Sequence, residues 1–430
     1  MGGLQENKKF CEYLEKSVTP FHCVLNSEKI LNQNGFCELN TESKWKLKKG
    51  GKYYWKFNNS YLFAFSVGTM WREGQGFKLA AAHGDSPCFR IRSGKDKQIG
   101  QYVFLNTEGY GGANFTSWID RPLSVAGRVC LKSKCDEKVD VRIFDMERAI
   151  AIIPGLAVHF TKEDYEYQEK NSKRIPLFAI TENAEMSDKM FEKMVADELE
   201  VEPEDILDYE LYVYHYAKSK IIGRKGEILA SPRLDNQTGT YGIIQAIAGT
   251  ENETGISAAV IFDNEEVGNI SKNGAFSSVT PTILKLIYEG LGCNELQYDK
   301  ELLKSSVISV DAAHGFHPVF AEHYDKEHIC ILNRGFCIKQ ASSQAYATDS
   351  TMSGMIQQLC RKENIPFQKY MNHADIRGGG TLGSIISCVL GVKTADIGVP
   401  ILSMHSSLET MGMEDEDSLI HFLRVYYDAV

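Results

Sequence analysis

The chain has 430 residues and no uninterrupted apolar run of membrane-spanning length, so no transmembrane helix is expected. Its opening stretch, Met1 to Phe10, has no apolar core of signal-peptide length, and no export is expected either. An excess of positive charge is also missing: 47 Lys and Arg face 57 Asp and Glu, for a net charge of −10. That balance argues against nucleic acid as a partner and offers no basic face to a membrane. The eleven cysteines are odd in number and scattered, and no two form a C-x-x-C pair. This fits reduced thiols in a cytoplasmic protein better than disulfides or a cysteine-zinc site. No repeat or low-complexity tract is present, and no Gly-rich fingerprint follows a first strand, which sets aside a nucleotide-binding α/β protein. What is there is ordinary globular material, 43% apolar and 24% charged, long enough for a large core and a second domain.

The texture changes twice along the chain. Residues 1–88 and 231–430 read as α/β, with buried-strand runs at Phe77-Lys78-Leu79-Ala80-Ala81-Ala82, Ile256 to Phe262, Val307 to Val310 and Ala395 to Val399. Gln5 to Leu31 reads as one amphipathic helix through Phe10, Leu14 and Val18. Aromatic-rich strands come next at Tyr53 to Phe57 and Tyr61 to Phe65, and helices are expected from Thr240 to Ala248 and from Asp415 onward. Across 89–230 the buried-strand pattern lapses into short alternating segments such as Val141 to Phe144, which predicts an inserted, mostly β domain. Within it, Glu182 to Leu207 is acidic and reads as helix or loop. The Gly-rich stretch Gly109 to Gly112 lacks the lysine that a phosphate cradle requires and reads as a plain turn.

The central feature is Asp263-Asn264-Glu265-Glu266-Val267-Gly268, directly after the apolar run Ile256 to Phe262. Open α/β sheets place their chemistry at strand C-terminal ends, and adjacent carboxylates there can divide labour, one gripping a cation and one moving a proton. Alone, such a pair is equally a solvated acidic turn. It is accompanied, however, by His83 and Asp85, by Asp311 and by His405 at other strand ends, and by Asp235 before a helix. Imidazole mixed with carboxylate suits zinc, with manganese and cobalt as competitors. With five or six such ligands, two ions about 3.5–4 Å apart become feasible, bridged by one carboxylate, for which Asp235 is the candidate. In His83-Gly84-Asp85, Asp85 can fix the imidazole tautomer. From spacing alone, a metal site and a set of structural residues remain alternatives.

His83-Gly84-Asp85-Ser86-Pro87, Ser231-Pro232-Arg233-Leu234-Asp235-Asn236, the Asp263 to Gly268 segment, Ser309-Val310-Asp311-Ala312-Ala313-His314 and Met404-His405-Ser406 together resemble one family. It is the M18 metalloaminopeptidases, comprising aspartyl aminopeptidase and vacuolar aminopeptidase I, here of bacterial type. The resemblance implies a two-zinc exopeptidase domain of phosphorylase/hydrolase-like α/β fold, interrupted by a dimerisation domain. It implies His83, Asp235, Glu266, Asp311 and His405 as metal ligands with Asp235 bridging, Glu265 as general base and Asp85 as orienting carboxylate. It further implies that His159 reaches a neighbouring subunit's site, that His314 and Lys339 lie by the substrate, and that the chain forms a homo-oligomer, a tetrahedral dodecamer. A metal pair lowers the pKa of a water and polarises the scissile carbonyl, and Glu265 then takes the water's proton and passes it to the leaving amine.

Departures bear on specificity. Acid-selective members read Asn-Gln-Arg-Tyr-Ala-Thr where this chain has Ser343-Gln344-Ala345-Tyr346-Ala347-Thr348, and Arg-Asn-Asp where it has His373-Ala374-Asp375. Two cations able to pair with an acidic substrate side chain are lost, which points to neutral or broad specificity rather than Asp/Glu selectivity. The rival readings are a deacylase-like two-metal hydrolase on the same fold and a non-catalytic oligomeric shell. The complete motif set and the intact Glu265 argue against both.

Overall fold

A computed structural model describes residues 2–135, 137–160, 175–180, 189–376 and 378–429. Its frame is a nine-stranded mixed sheet. Four strands at its centre run parallel in the order Ile256–Phe262, Phe77–His83, Ser306–Val310, Lys393–Gly398. Outside them, Tyr61–Val67 and Phe336–Lys339 join the central strands antiparallel, so the sheet is mixed around a parallel centre. The aromatic segments form the hairpin Lys52–Phe57 and Tyr61–Val67.

The central strands are apolar on both faces because alternate side chains enter two different cores. Ala80, Ala82, Ala259, Ile261, Ile308 and Val310 pack with Ile243, Ile247, Leu419 and Phe422 of helices Leu234–Gly249 and Asp415–Asp428. Leu79, Ala81, Ala258, Val260 and Val307 pack with Ile283, Leu284, Leu382 and Ile386 of helices Val279–Gly290 and Leu382–Leu390 on the other side. Each fully buried branched side chain contributes about 1.5–3 kcal/mol, and this two-sided burial makes the strand ends a rigid platform.

The expected single N-terminal helix is two, Gly2–Lys16 and Pro20–Gln33. Thr19 caps the second by accepting from the His22 N–H, and Pro20 takes a position where no backbone donor is needed. Val18, assigned to the helical stripe by its spacing, instead lies between the helices and packs on Ala126 and Tyr214.

A second, antiparallel sheet is built from strands between Cys88–Ile91 and Ile206–His215, around Pro122–Leu131. Val141 to Phe144 lies in its strand Asp140–Asp145. Of the acidic segment, Glu182 to residue 188 lies outside the described residues; its remainder holds the helix Met190–Leu199 and the start of Ile206–His215. A five-stranded sheet joins Lys220–Ile222 and Ile228–Ser231 to Glu409–Gly412, Pro400–Leu402 and Ala313–His314. No helix among the described residues is long and apolar enough to cross a membrane, and the eleven cysteines are free.

Candidate metal centre

The parallel register aligns Phe262 with His83, so the strands bearing His83 and the Glu265-Glu266 pair end at one edge. Asp311 comes directly after the neighbouring strand Ser306–Val310 at the same edge. A Cβ at Gly398 would overlap the Asp311 carbonyl, so the adjacent strand needs glycine there for Asp311 to sit where it does. Asn264, with φ of 64°, turns the chain sharply and delivers Glu265 and Glu266 on a short 3-10 turn. Asp235 sits in the first turn of helix Leu234–Gly249, and His405 comes from the loop after Pro400–Leu402.

These groups converge on Asp235. His83 Nε2 lies 3.4 Å from Asp311 Oδ1 and 3.6 Å from Asp235 Oδ1, while His405 Nε2 lies 3.2 Å from Asp235 Oδ2 and 3.6 Å from Glu266 Oε2. Donor atoms of His83, Asp235 and Asp311 lie within 4.8 Å of one another, as do those of Asp235, Glu266 and His405, and of His83, Glu265 and Glu266. Asp235 Oδ1 is buried without any hydrogen-bond partner, an expensive state for a carboxylate oxygen unless a cation sits against it. Each histidine has its Nδ1 engaged, His83 with the Asp85 carbonyl at 3.2 Å and His405 with the Gly112 carbonyl at 3.1 Å. With Nδ1 engaged by a carbonyl, each ring turns its Nε2 towards the carboxylates, where loss of the Nε2 proton would free it to ligate, the arrangement of metal-binding histidines. The donor set fits zinc.

Asp85, 1% exposed, organises the turn. Its Oδ1 accepts from the Glu265 N–H at 3.2 Å, and its Oδ2 accepts from the Glu266 N–H at 3.1 Å and the Tyr110 hydroxyl at 2.8 Å. Its Oδ1 also lies 3.4 Å from His83 Nδ1.

So many acids in one place perturb one another. Burial, with Asp311, Asp85 and Asp235 adding and His83 opposing, raises Glu265 to about 7. Burial and Asp235 push Glu266 well up. Burial alone would lower His405, but its hydrogen bond to Asp235 and the Glu266 charge outweigh it and raise it to about 10. His83 is likewise raised against its burial by Asp311 and Asp85. For Asp311, the cations of Lys339 and His83 overcome burial and hold it well below its ordinary value. Clustered acids competing for protons are what a bound divalent cation relieves.

Lys339 is 1% exposed, not a surface lysine: its Nζ donates to the Asp311 and Ala312 carbonyls at 2.9 and 3.1 Å and lies 3.5 Å from Asp311 Oδ2. His314 lines the same cleft as these candidate ligands, beside Tyr346, Thr381 and Met404, and burial with the Lys339 charge lowers its pKa. His159 is exposed on a turn and does not line this cleft. The stretch Gly109 to Gly112 is no free turn. It ends the strand Thr107–Tyr110 and lies against the site, where Gly112 receives His405 and a Cβ at Gly111 (φ 69°) would come within 3.1 Å of Glu266 Cβ. Sequence reasoning misses Tyr110, the last residue of strand Thr107–Tyr110, and Glu409, the first of Glu409–Gly412, since neither follows a buried apolar run and their partners lie far away in the chain.

A family model described as aminopeptidase I zinc metalloprotease (M18) matches residues 13–427. A protein of Clostridium novyi, named probable M18 family aminopeptidase 2, is 37% identical over 421 residues, 97% of each chain. A chain in the cryo-EM structure of the Ape4 and Nbr1 complex superposes with a TM-score of 0.94 at 29% identity, over 99% of this chain and 86% of that one. The S. cerevisiae mApe1 dodecamer structure, 23% identical with a TM-score of 0.84 over 98% and 96% of the two chains, shares the fold.

Proposed function

The chain belongs to the M18 family of zinc metalloaminopeptidases, and from that premise we propose that it removes N-terminal residues from peptides using two zinc ions per subunit. The observation that carries the reading is the buried Asp235 carboxylate between two histidine-and-carboxylate groups, with one oxygen lacking a hydrogen-bond partner. His83, Asp235 and Asp311 would hold one ion, and Asp235, Glu266 and His405 the other. When bound, such a pair supplies a water of lowered pKa, a polarised scissile carbonyl and a partner for the substrate's free amine.

Glu265 is the general base. A carboxyl raised to about 7 can take a proton from the attacking water and hand it to the leaving amine near neutrality. Asp85 orients it through the Glu265 N–H, and His83 through Nδ1. His314 faces the substrate in the cleft. The buried charge of Lys339 is engaged by Asp311, leaving no cation from it to greet an acidic side chain. With Ala345 and His373 standing where acid-selective members have arginine, specificity is neutral or broad.

Residues 89–230 serve as a dimerisation domain. His159, flanked by exposed Val158 and Phe160, completes the site of a neighbouring copy within a tetrahedral dodecamer, and the free cysteines suit action in the cytoplasm.

Hydrolysis of unblocked Leu, Met, Lys, Asp and Glu chromogenic substrates, beside N-acetylated controls, tests the reading. Cleavage of unblocked substrates only, abolished by chelator and restored by zinc, manganese or cobalt, is expected. Equal cleavage of the acetylated controls, or none under any metal, overturns it.

A further inference from the structure

We propose that Glu409 is a positioning residue for one of the two metal sites, the one formed by Asp235, Glu266 and His405; this rests on the two-ion reading above. Glu409 is 2% exposed and does not line the substrate cleft. One carboxylate oxygen accepts from the Asp235 N–H at 3.0 Å and the other from the His405 N–H at 2.7 Å. A single buried carboxylate thus ties together the backbones of two ligand residues that are distant in the chain.

Each tie meets a specific need. Asp235 stands at the head of its helix with an extended, non-helical backbone (φ −83°, ψ 108°), so its N–H has no partner within the helix and takes the Glu409 carboxylate instead. His405 has φ of 65°, a left-handed conformation that a non-glycine residue keeps only when its surroundings over-determine it. The antiparallel pairing of Ile228–Ser231 with Glu409–Gly412 sets Glu409 opposite Ser231, close to the segment that carries Asp235. No bond joins Glu409 to His83, Asp311 or Glu266 among the described contacts. Its influence therefore falls on the ion held through His405 more than on the ion held by His83 and Asp311.

Glu409→Gln preserves size but turns one acceptor into a donor facing a backbone N–H. Zinc titrations of the metal-free protein against a chromophoric chelator, with cobalt spectra of the two sites, read the effect. The wild type is expected to take two ions. In Glu409→Gln one affinity falls about 10- to 100-fold, as loss of a ligand-orienting partner does, and the other changes less than about threefold. One cobalt band set shifts, and the melting temperature of the metal-free protein stays near wild type. Two unchanged affinities overturn the proposal, as does an equal fall in both accompanied by a lower metal-free melting temperature. Should Glu409→Gln not fold, Glu409→Asp, which keeps both acceptors but withdraws them by one methylene, is read the same way: a selective loss supports the role and unchanged affinities overturn it. A wild type taking a single ion refutes the two-ion reading instead, and an unweakened affinity for that ion in the variant then overturns the role of Glu409.

Discussion

Replacing Asp85 by Asn tests the proposal that this carboxylate aims Glu265 as general base. The carboxylate now serves two sets of donors, the Tyr110 hydroxyl and Glu266 N–H on Oδ2, and the Glu265 N–H and His83 Nδ1 on Oδ1. An amide has one acceptor. It keeps its oxygen where the shorter bond is made, with Tyr110 at 2.8 Å, and its NH₂ then faces the Glu265 N–H. The Asp85 backbone carbonyl, 3.2 Å from His83 Nδ1, survives the substitution, so His83 retains its tautomer and the loss falls on the Glu265 turn. A hydrogen bond to a charged group is worth about 1.5–3 kcal/mol. If that whole loss appears as misplacement of the base, turnover falls about 10- to 150-fold at about 1.36 kcal/mol per decade. The assay is kcat on an unblocked Leu substrate with zinc in excess, with bound zinc measured in parallel. Turnover within threefold of wild type, at full zinc content, would falsify the claim that Asp85 aims Glu265.

Glu265→Gln keeps zinc and assembly but lowers kcat about 10²–10⁴-fold, the ordinary cost of losing a general base; steady-state rates and metal analysis decide it. Burial, with Arg233 and Lys29 adding, lowers His22 to about 4 in the fold, against about 6.5 unfolded. The unfolded chain therefore binds the proton first, so this contribution to stability is complete above about pH 6.5 and is lost as pH falls towards 4, by about 3 kcal/mol. Denaturant unfolding of wild type and His22→Gln across that range should show a smaller acid loss in the variant; parallel curves reject the assignment. Ala345→Arg introduces a cation next to Gly380, which lines the cleft, and should raise the ratio of kcat/KM for Asp over Leu substrates at least about tenfold. An unchanged ratio would mean that this departure does not set specificity.

By itself the sequence determined the strands and their ends. Phe77 to Ala82 and Ile256 to Phe262 are apolar at nearly every position because both faces are covered, and such runs are visible without knowing the neighbours. The acids and histidines directly after those runs were legible for the same reason, since a strand end is a local feature. The break at Thr19-Pro20 went unread: a capping residue followed by proline marks it, but the apolar spacing of Phe10, Leu14 and Val18 carried the expected helix across it. Tertiary structure alone decided which group partners which. Asp85 meets the Glu265 N–H 180 positions on, Glu409 meets the Asp235 N–H 174 positions back, and His405 meets the Gly112 carbonyl across 293. The resemblance singles out Lys339, but only the fold shows that it is buried against Asp311. Burial and hydrogen-bond partners are properties of places in space, and chain segments this far apart share a place only after the sheets have packed.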